Sequence, residues 1–177
     1  RNKHIDAAIQ RVSGMQRYDG SFGLWSNQSD EKHWLTSYAL EFLDTANQKG
    51  YGVPSSVLTA GYDRLEEYVK SMNPTYSERR YYSQEPEHYA LAYRAYAAYL
   101  LAKKGRITLS DVRQVSKRYA DKSHSGLPYA HLAAAFEALG DLNSAKGFWN
   151  KAIAYRDYKN RYLGDYGSRV RDITWVM

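Results

Sequence analysis

Apolar residues recur along most of this chain at three- and four-residue spacings, the pattern of helices with one buried face. Between Asn2 and Met15 the row is Ile5, Ala8, Ile9 and Val12. A second row, Trp34, Leu35, Tyr38, Ala39, Phe42 and Leu43, is closed by Gly50 and the Gly52-Val53-Pro54 stop. Pro54 with Ser55-Ser56 opens a third helix, striped by Val57, Leu58, Gly61, Leu65, Tyr68 and Val69, with Asp63, Arg64, Glu66 and Glu67 turned outward and Asn73-Pro74 ending it. Ser71 to Glu85 is irregular and carries Tyr76, Arg79, Arg80, Tyr81 and Tyr82. From Pro86 to Lys104 the pattern is apolar nearly all round, with Arg94 alone charged between Tyr89 and Ala102, so this helix must be covered on several sides. Thr108-Leu109-Ser110-Asp111 starts a shorter helix bearing Val112, Val115 and Tyr119, broken at Ser123 to Gly126. Leu127-Pro128 opens the next, with Leu132, Phe136 and Leu139, ended by Gly140. Asp141 caps a helix striped by Ala145, Phe148, Trp149, Ala152 and Ile153. A connector at 157–164 leads to a last helix that begins at Tyr166-Gly167-Ser168. No stretch alternates as a strand does. The pattern predicts an all-α chain of successive antiparallel hairpins in a single domain, 1–177.

The stretch from Gln16 to Leu35 stands apart from these helices. Asp19-Gly20 is a turn dipeptide, and Phe22 and Trp25 follow at once on a Gly-punctuated loop. Two large rings on so tight a loop are expected to be pinned in a core, locking one hairpin to the next. The candidate structural residues are Gln16, Asp19, Gly20, Phe22, Trp25 and Trp34. An ordinary helix connection that happens to be aromatic is the plainer reading of the same residues.

Composition changes this picture little. Hydrophobic residues make up 44% and charged residues 25%, as in a folded globular protein. The 18 tyrosines against 4 phenylalanines point to half-buried helix surfaces or a wet groove. The net charge of +6 is spread through the chain and by itself favours acidic partners only mildly. With no cysteine, disulfides, thiolate metal sites and a cysteine nucleophile are excluded from these 177 residues. No apolar run approaches a membrane span, so direct membrane contact is not expected. The chain starts at Arg1 and stops at Met177, just after Val170, Ile173 and Val176 begin a new stripe, which reads as a piece of something longer.

Motifs of small-molecule chemistry are missing: no GxGxxG, P-loop, HExxH or GxSxG occurs. His4, His33, His88, His124 and His131 show no paired metal spacing, and neither a metal nor a cofactor is expected. His33, at a helix start, is a candidate neutral base, or plainly a partly exposed capping residue. Glu85 and Glu87 beside His88 suit a helix's first turn. Lys103, Lys104, Arg106, Arg113, Lys117, Arg118 and Lys122 lie at surface-like spacings, a solvated face and not a nucleic-acid stripe. Leu132 to Tyr155 looks like one tetratricopeptide repeat, but an array needs at least three units and no second copy precedes it.

Gln16-Arg-Tyr-Asp19-Gly20-Ser-Phe22-Gly23-Leu-Trp25, then Trp34-Leu35-Thr36-Ser-Tyr38, then Gly50-Tyr51-Gly52-Val53-Pro54, resembles the thioester-containing domain of bacterial alpha-2-macroglobulins. Ser125-Gly126-Leu127-Pro128, Leu139-Gly140-Asp141 and Leu163-Gly164-Asp165-Tyr166-Gly167-Ser168 with Arg171-Asp172 agree with it, in the family's order. The resemblance implies an α/α toroid, with Pro86 to Lys104 an inner helix. It also implies a protease trap: cleavage of a bait region triggers a conformational change, and a Cys–Gln thioester acylates the attacking protease. Bacterial members are similar to periplasmic lipoproteins, some paired with a peptidoglycan glycosyltransferase of the penicillin-binding class. The thioester motif Gly-Cys-x-Glu-Gln is absent from this chain, and the histidine that assists acyl transfer in complement relatives has no counterpart between Gly23 and Glu31. The expected role is therefore scaffold and binding, without catalysis.

Two other readings stay open on the residues alone. An α/α-barrel glycan hydrolase or lyase would use the tyrosines for stacking and Asp19 and Glu31 as candidate acids, with carboxyls roughly 5 Å apart for retention or 6.5–9.5 Å for inversion. A tetratricopeptide-like interaction module would use a groove lined by the rings between Tyr76 and Tyr99.

Overall fold

The computed structural model describes residues 3–71, 85–155, 163–165 and 167–176. They form α1 (Lys3–Ser13), α2 (His33–Gln48), α3 (Ser55–Lys70), α4 (Pro86–Lys103), α5 (Leu109–Tyr119), α6 (Leu127–Ala138), α7 (Leu142–Ala154) and α8 (Arg169–Val176). Among the described residues the extended pairing amounts to two isolated antiparallel bridges, so the fold is all-α. The expected helix stop at Asn73-Pro74, the Tyr76–Tyr82 segment, most of the 157–164 connector and Tyr166 lie outside the described residues. The chain divides inside α3 into two compact units, 1–67 and 68–177.

In the first unit α1 lies against α2. Ile9, Phe22, Ala39, Leu43 and Ala46 form its buried cluster, and Ile5, Val12, Met15, Phe42, Val57 and Leu58 pack around them. The three-and-four rows of α1 and α2 thus face each other across one apolar seam, as the spacing demands. Gly61 lets α3 come close to α2, since a Cβ there would sit 2.7 Å from Leu40 Cδ1.

The second unit is organised on α4 and α6, which pack together, while α6 also packs on α7. Ala90, Ala92, Ala95, Ala97 and Ala98 of α4 and Ala130, Ala133 and Ala135 of α6 are all buried. These small side chains are what let the two backbones approach. Phe136 of α6 stacks on Phe148 of α7, centroids 5.5 Å apart and planes within 11°. Gly140 ends α6 at φ +82°, where the Asp141 N–H donates to Phe136 O (2.9 Å), a Schellman closure. Asp141 then caps α7 by accepting from Ser144 N (3.1 Å).

Arg94 is fully buried in the middle of α4. Its guanidinium lies 4.7 Å from the Tyr93 centroid and 5.2 Å from that of Tyr119, so the charge is met by ring faces rather than by water. The start of α5 is a reciprocal capping box: Thr108 Oγ1 accepts from Asp111 N (3.3 Å) and Asp111 Oδ2 accepts from Thr108 N (2.8 Å). Thr108→Ala is expected to lower stability by about 1 kcal/mol in a denaturant titration. No change would show that the box contributes nothing.

Candidate functional site

The loop between α1 and α2 holds the first unit together through its backbone. Gln16 pairs with Phe22 and Gly23 with Glu31 in the two bridges. Gly20 sits at φ +83°, and a Cβ there would lie 2.1 Å from Ala60 O. Only glycine serves both demands, the left-handed turn and direct contact with the α3 backbone. Asp19 Oδ1 accepts from Ser21 N (3.1 Å) and Ser21 Oγ (2.6 Å), closing the turn. The Gln16 amide donates to Gly20 O (3.2 Å) and across to Val57 O (2.9 Å) on α3. Phe22 is 1% exposed, and its N–H donates to Thr36 Oγ1 (3.0 Å) on α2. One short loop therefore bonds to both neighbouring helices.

Trp25 corrects the expectation that both rings are core-packed: it is 81% exposed. Phe22 fills the cluster, and Trp25 does not enter it. Beyond Gly23 the chain folds back on itself, Ser29 N donating to Ser26 O (3.2 Å) and Ser26 N to Ser29 Oγ (3.1 Å), which turns Trp25 out. Trp34 is buried and stacks on Tyr38, centroids 5.7 Å apart. Beside the loop, Val12, Met15, Leu24, Leu35, Tyr38 and Phe42 line an apolar groove of about 190 Å³.

The acids of this region meet on Arg64, which sequence spacing had turned outward. Its Nε donates to Glu31 Oε1 (2.9 Å) and its Nη2 to Glu31 Oε2 (2.5 Å), a bidentate pair. Arg64 also bonds Glu67, and Asp19 Oδ2 lies 4.0 Å away. Partial burial opposes the charge on Asp19, but the Ser21 hydrogen bonds, Arg64 and Arg17 outweigh it and hold the carboxyl below its usual range. A carboxyl held ionised in this way is unsuited to the general-acid step of glycan cleavage. His33 is the first residue of α2 and is buried rather than a partly exposed cap, with Nε2 3.6 Å from Glu31 Oε2.

Sequence reasoning missed a second polar constellation, in the other unit. His88 Nδ1 accepts the His124 N–H (2.9 Å), which leaves the proton on Nε2, 3.4 Å from Asp165 Oδ2. Both ring nitrogens are engaged, so His88 orients Asp165 rather than acting as a base. Asp165 Oδ1 accepts from Gly167 N (3.0 Å), and Arg171 donates to Asp165 O (2.7 Å) and reaches Asp165 Oδ2 (3.3 Å). Arg171 also clasps Asp172 Oδ1 through Nε (2.8 Å) and Nη2 (2.7 Å). Burial opposes ionisation of Asp165, yet the His88 hydrogen bond, the Arg171 guanidinium and the Gly167 N–H together hold its carboxyl low. For Asp172 burial wins and pushes the carboxyl up. The signal available was the run Leu163-Gly164-Asp165 to Arg171-Asp172, whose polar residues had no evident partner in sequence.

Among the described residues no group of three or more His, Asp and Glu could hold a metal ion. The basic residues Lys103, Lys104, Arg113, Lys117, Arg118 and Lys122 are exposed on the surface.

These features define an all-α segment whose polar constellations bind its own loops and helices together. No family model matches the chain. It is 34% identical over 97% of its length to the alpha-2-macroglobulin of Escherichia coli (strain K12), of which it spans 10%. The crystal structure of native E. coli alpha-2-macroglobulin from domain MG7 to the C-terminus matches with a TM-score of 0.87 at 31% identity, over 94% of this chain and 26% of that one. The trypsin-activated E. coli protein matches with a TM-score of 0.83 at 32% identity, over 94% of this chain and 11% of that one. The chain belongs to the bacterial alpha-2-macroglobulin family, and spans about a tenth of the curated relatives it matches.

Proposed function

We propose that this chain is the helical scaffold of a thioester-containing domain in a bacterial protease trap, with no catalysis of its own. One observation carries the reading: the same helices match a relative in both its native and its trypsin-activated forms, with TM-scores of 0.87 and 0.83. A segment whose architecture is recognisable on either side of activation is a part that moves in a trap rather than a part that remodels. The loop at Gln16–Lys32, bonded to α2 and α3 through Thr36 and Val57, supplies the rigidity such a part needs. In this reading the hairpins contribute to an α/α toroid, the thioester lies outside these residues, and proteases are met through the parent. That parent is a periplasmic, membrane-anchored lipoprotein, working beside a penicillin-binding glycosyltransferase.

The test exchanges the corresponding segment of the E. coli relative for residues 1–177 and challenges the chimera with trypsin. A folded chimera is expected to shield trypsin from a macromolecular inhibitor while small substrates are still cleaved. A chimera that folds and shields nothing overturns the reading, as does turnover of a glycan polymer by the chain alone.

A further inference from the structure

His131 is 1% exposed in the middle of α6, and its Nδ1 meets no hydrogen-bond partner among the described residues. One face of its ring lies parallel to Tyr96 of α4, centroids 4.4 Å apart, with Tyr99 at 5.8 Å. Trp175 of α8 stands against it edge-on at 4.6 Å and also touches Tyr99 at 5.4 Å. Trp175 is thus the plug that α8 sets over the histidine. Arg171 ties α8 to the turn before it through Asp165, and within the helix it also holds Asp172. A Cβ on Gly167 would lie 2.8 Å from Asp165 Oδ1 and 2.9 Å from Arg171 Nη2, so a side chain there would displace this pair. The outward side of this eight-residue helix shows Val170 and Ile173 to solvent, so it is held to its unit by this one face.

We propose that α8 is an acid-released latch: protonation of His131, clamped between Tyr96 and Trp175 beside the Arg171 guanidinium, frees the helix from its unit. A proton on the ring would place a second cation next to Arg171 in a site closed to water, where among the described residues ring faces and one shared carboxylate, Asp165, answer it. Removing Trp175 opens the ring to solvent and relieves that cost. Among the described residues the groups facing His131 are few. From α4 they are the Tyr96 and Tyr99 rings, with His88 bound to Asp165. From the residues before α8 the group is Asp165, and from α8 it is Arg171, which also holds Asp172. The α7 side offers Trp149, which does not titrate and stacks on Trp175 at 6.4 Å, while α5 turns Arg113, Lys117 and Arg118 to solvent.

Burial first, and Arg171 second, depress the His131 pKa from 6.5 to about 3, against a smaller opposing effect of Asp165. For His131 the docked form stays neutral while the released form takes a proton below pH 6.5, so release grows as pH falls, opposed in part by Asp172, whose raised pKa favours docking as it protonates. Each pH unit below that point multiplies the opening constant by up to about ten, or roughly a hundredfold by pH 4.5.

Hydrogen exchange of the backbone amides of α8, measured on the whole chain from pH 7.5 to 4.5 and corrected for intrinsic rates, reads the latch. The opening constant of 169–176 is expected to rise at least thirtyfold while α4 amides keep their protection. In His131→Phe, which keeps a ring and loses the proton site, the rise is expected to vanish. If that variant does not fold, His131→Gln serves, with the same expectation. A wild-type rise below threefold, an undiminished rise in the folded variant, or simultaneous opening of α4 and α8 overturns the proposal.

Discussion

Replacing Phe22 with alanine is expected to lower the stability of the chain by about 3–5 kcal/mol, whereas Trp25→Ala is expected to fall within about 0.5 kcal/mol of the parent. The two rings lie three residues apart on one loop, yet their surroundings are opposite. Phe22 is 1% exposed among Ile9, Ala39, Leu43 and Ala46, a cluster drawn from two helices that cannot close around a void without moving. Its removal takes away both the transfer free energy of the ring and the contacts of the side chains left lining the gap. Trp25 is 81% exposed and has little packing to lose. Denaturant melts of the two variants, read by far-ultraviolet circular dichroism, decide it. Equal losses would place Trp25 in the core after all, and an unaffected Phe22→Ala would remove the loop from the account of the fold.

Arg171→Met is expected to cost about 3 kcal/mol at pH 7.5, the low end for breaking a buried ion pair, because the arginine is itself partly exposed. The methionine keeps most of the volume and removes the charge that Asp165 and Asp172 share, and both carboxyls are nearly inaccessible to water. The pH dependence separates this cause from lost packing. Asp172 already has its pKa raised by burial against the pull of Arg171, and losing that pull raises it further. A carboxyl whose folded pKa exceeds its unfolded value destabilises at neutral pH, and the penalty fades as the pH falls through the folded pKa. Arg171 also depresses His131, so its removal moves the histidine in the same favourable direction. The gap between variant and parent should therefore narrow between pH 7.5 and 4.5. A gap that stays constant would mean that the methylene stem, not the guanidinium, was what mattered.

Helices were legible because burial leaves a periodic trace. The row of Ile5, Ala8, Ile9 and Val12 gave α1, and the nearly uncharged run around Arg94 announced the most enclosed helix. Turn chemistry was legible for the same local reason, at Asp19-Gly20 and at Gly140-Asp141, where a positive φ and a capping carboxylate leave characteristic residues behind. What pattern could not supply is the partner of a polar side chain. Arg64 looks like an outward-facing member of α3, and only the folded loop brings Glu31 to it from 33 residues away. His88 and Asp165 are 77 residues apart, and a pairing at that distance is invisible to any window that detects helices. Trp25 failed for a different reason: its ring is as apolar as that of Phe22, and the turn through Ser26 and Ser29 decides which of them finds the interior.

That outward tryptophan turns the chain into its own optical probe. Indole emission follows the polarity around the ring, so Trp25, the most exposed of the four tryptophans, should emit furthest to the red and yield first to iodide, while the enclosed Trp34 stays blue and protected. Contact by any macromolecule with this side of the loop would shield the red component first, reporting engagement without a dye or a label.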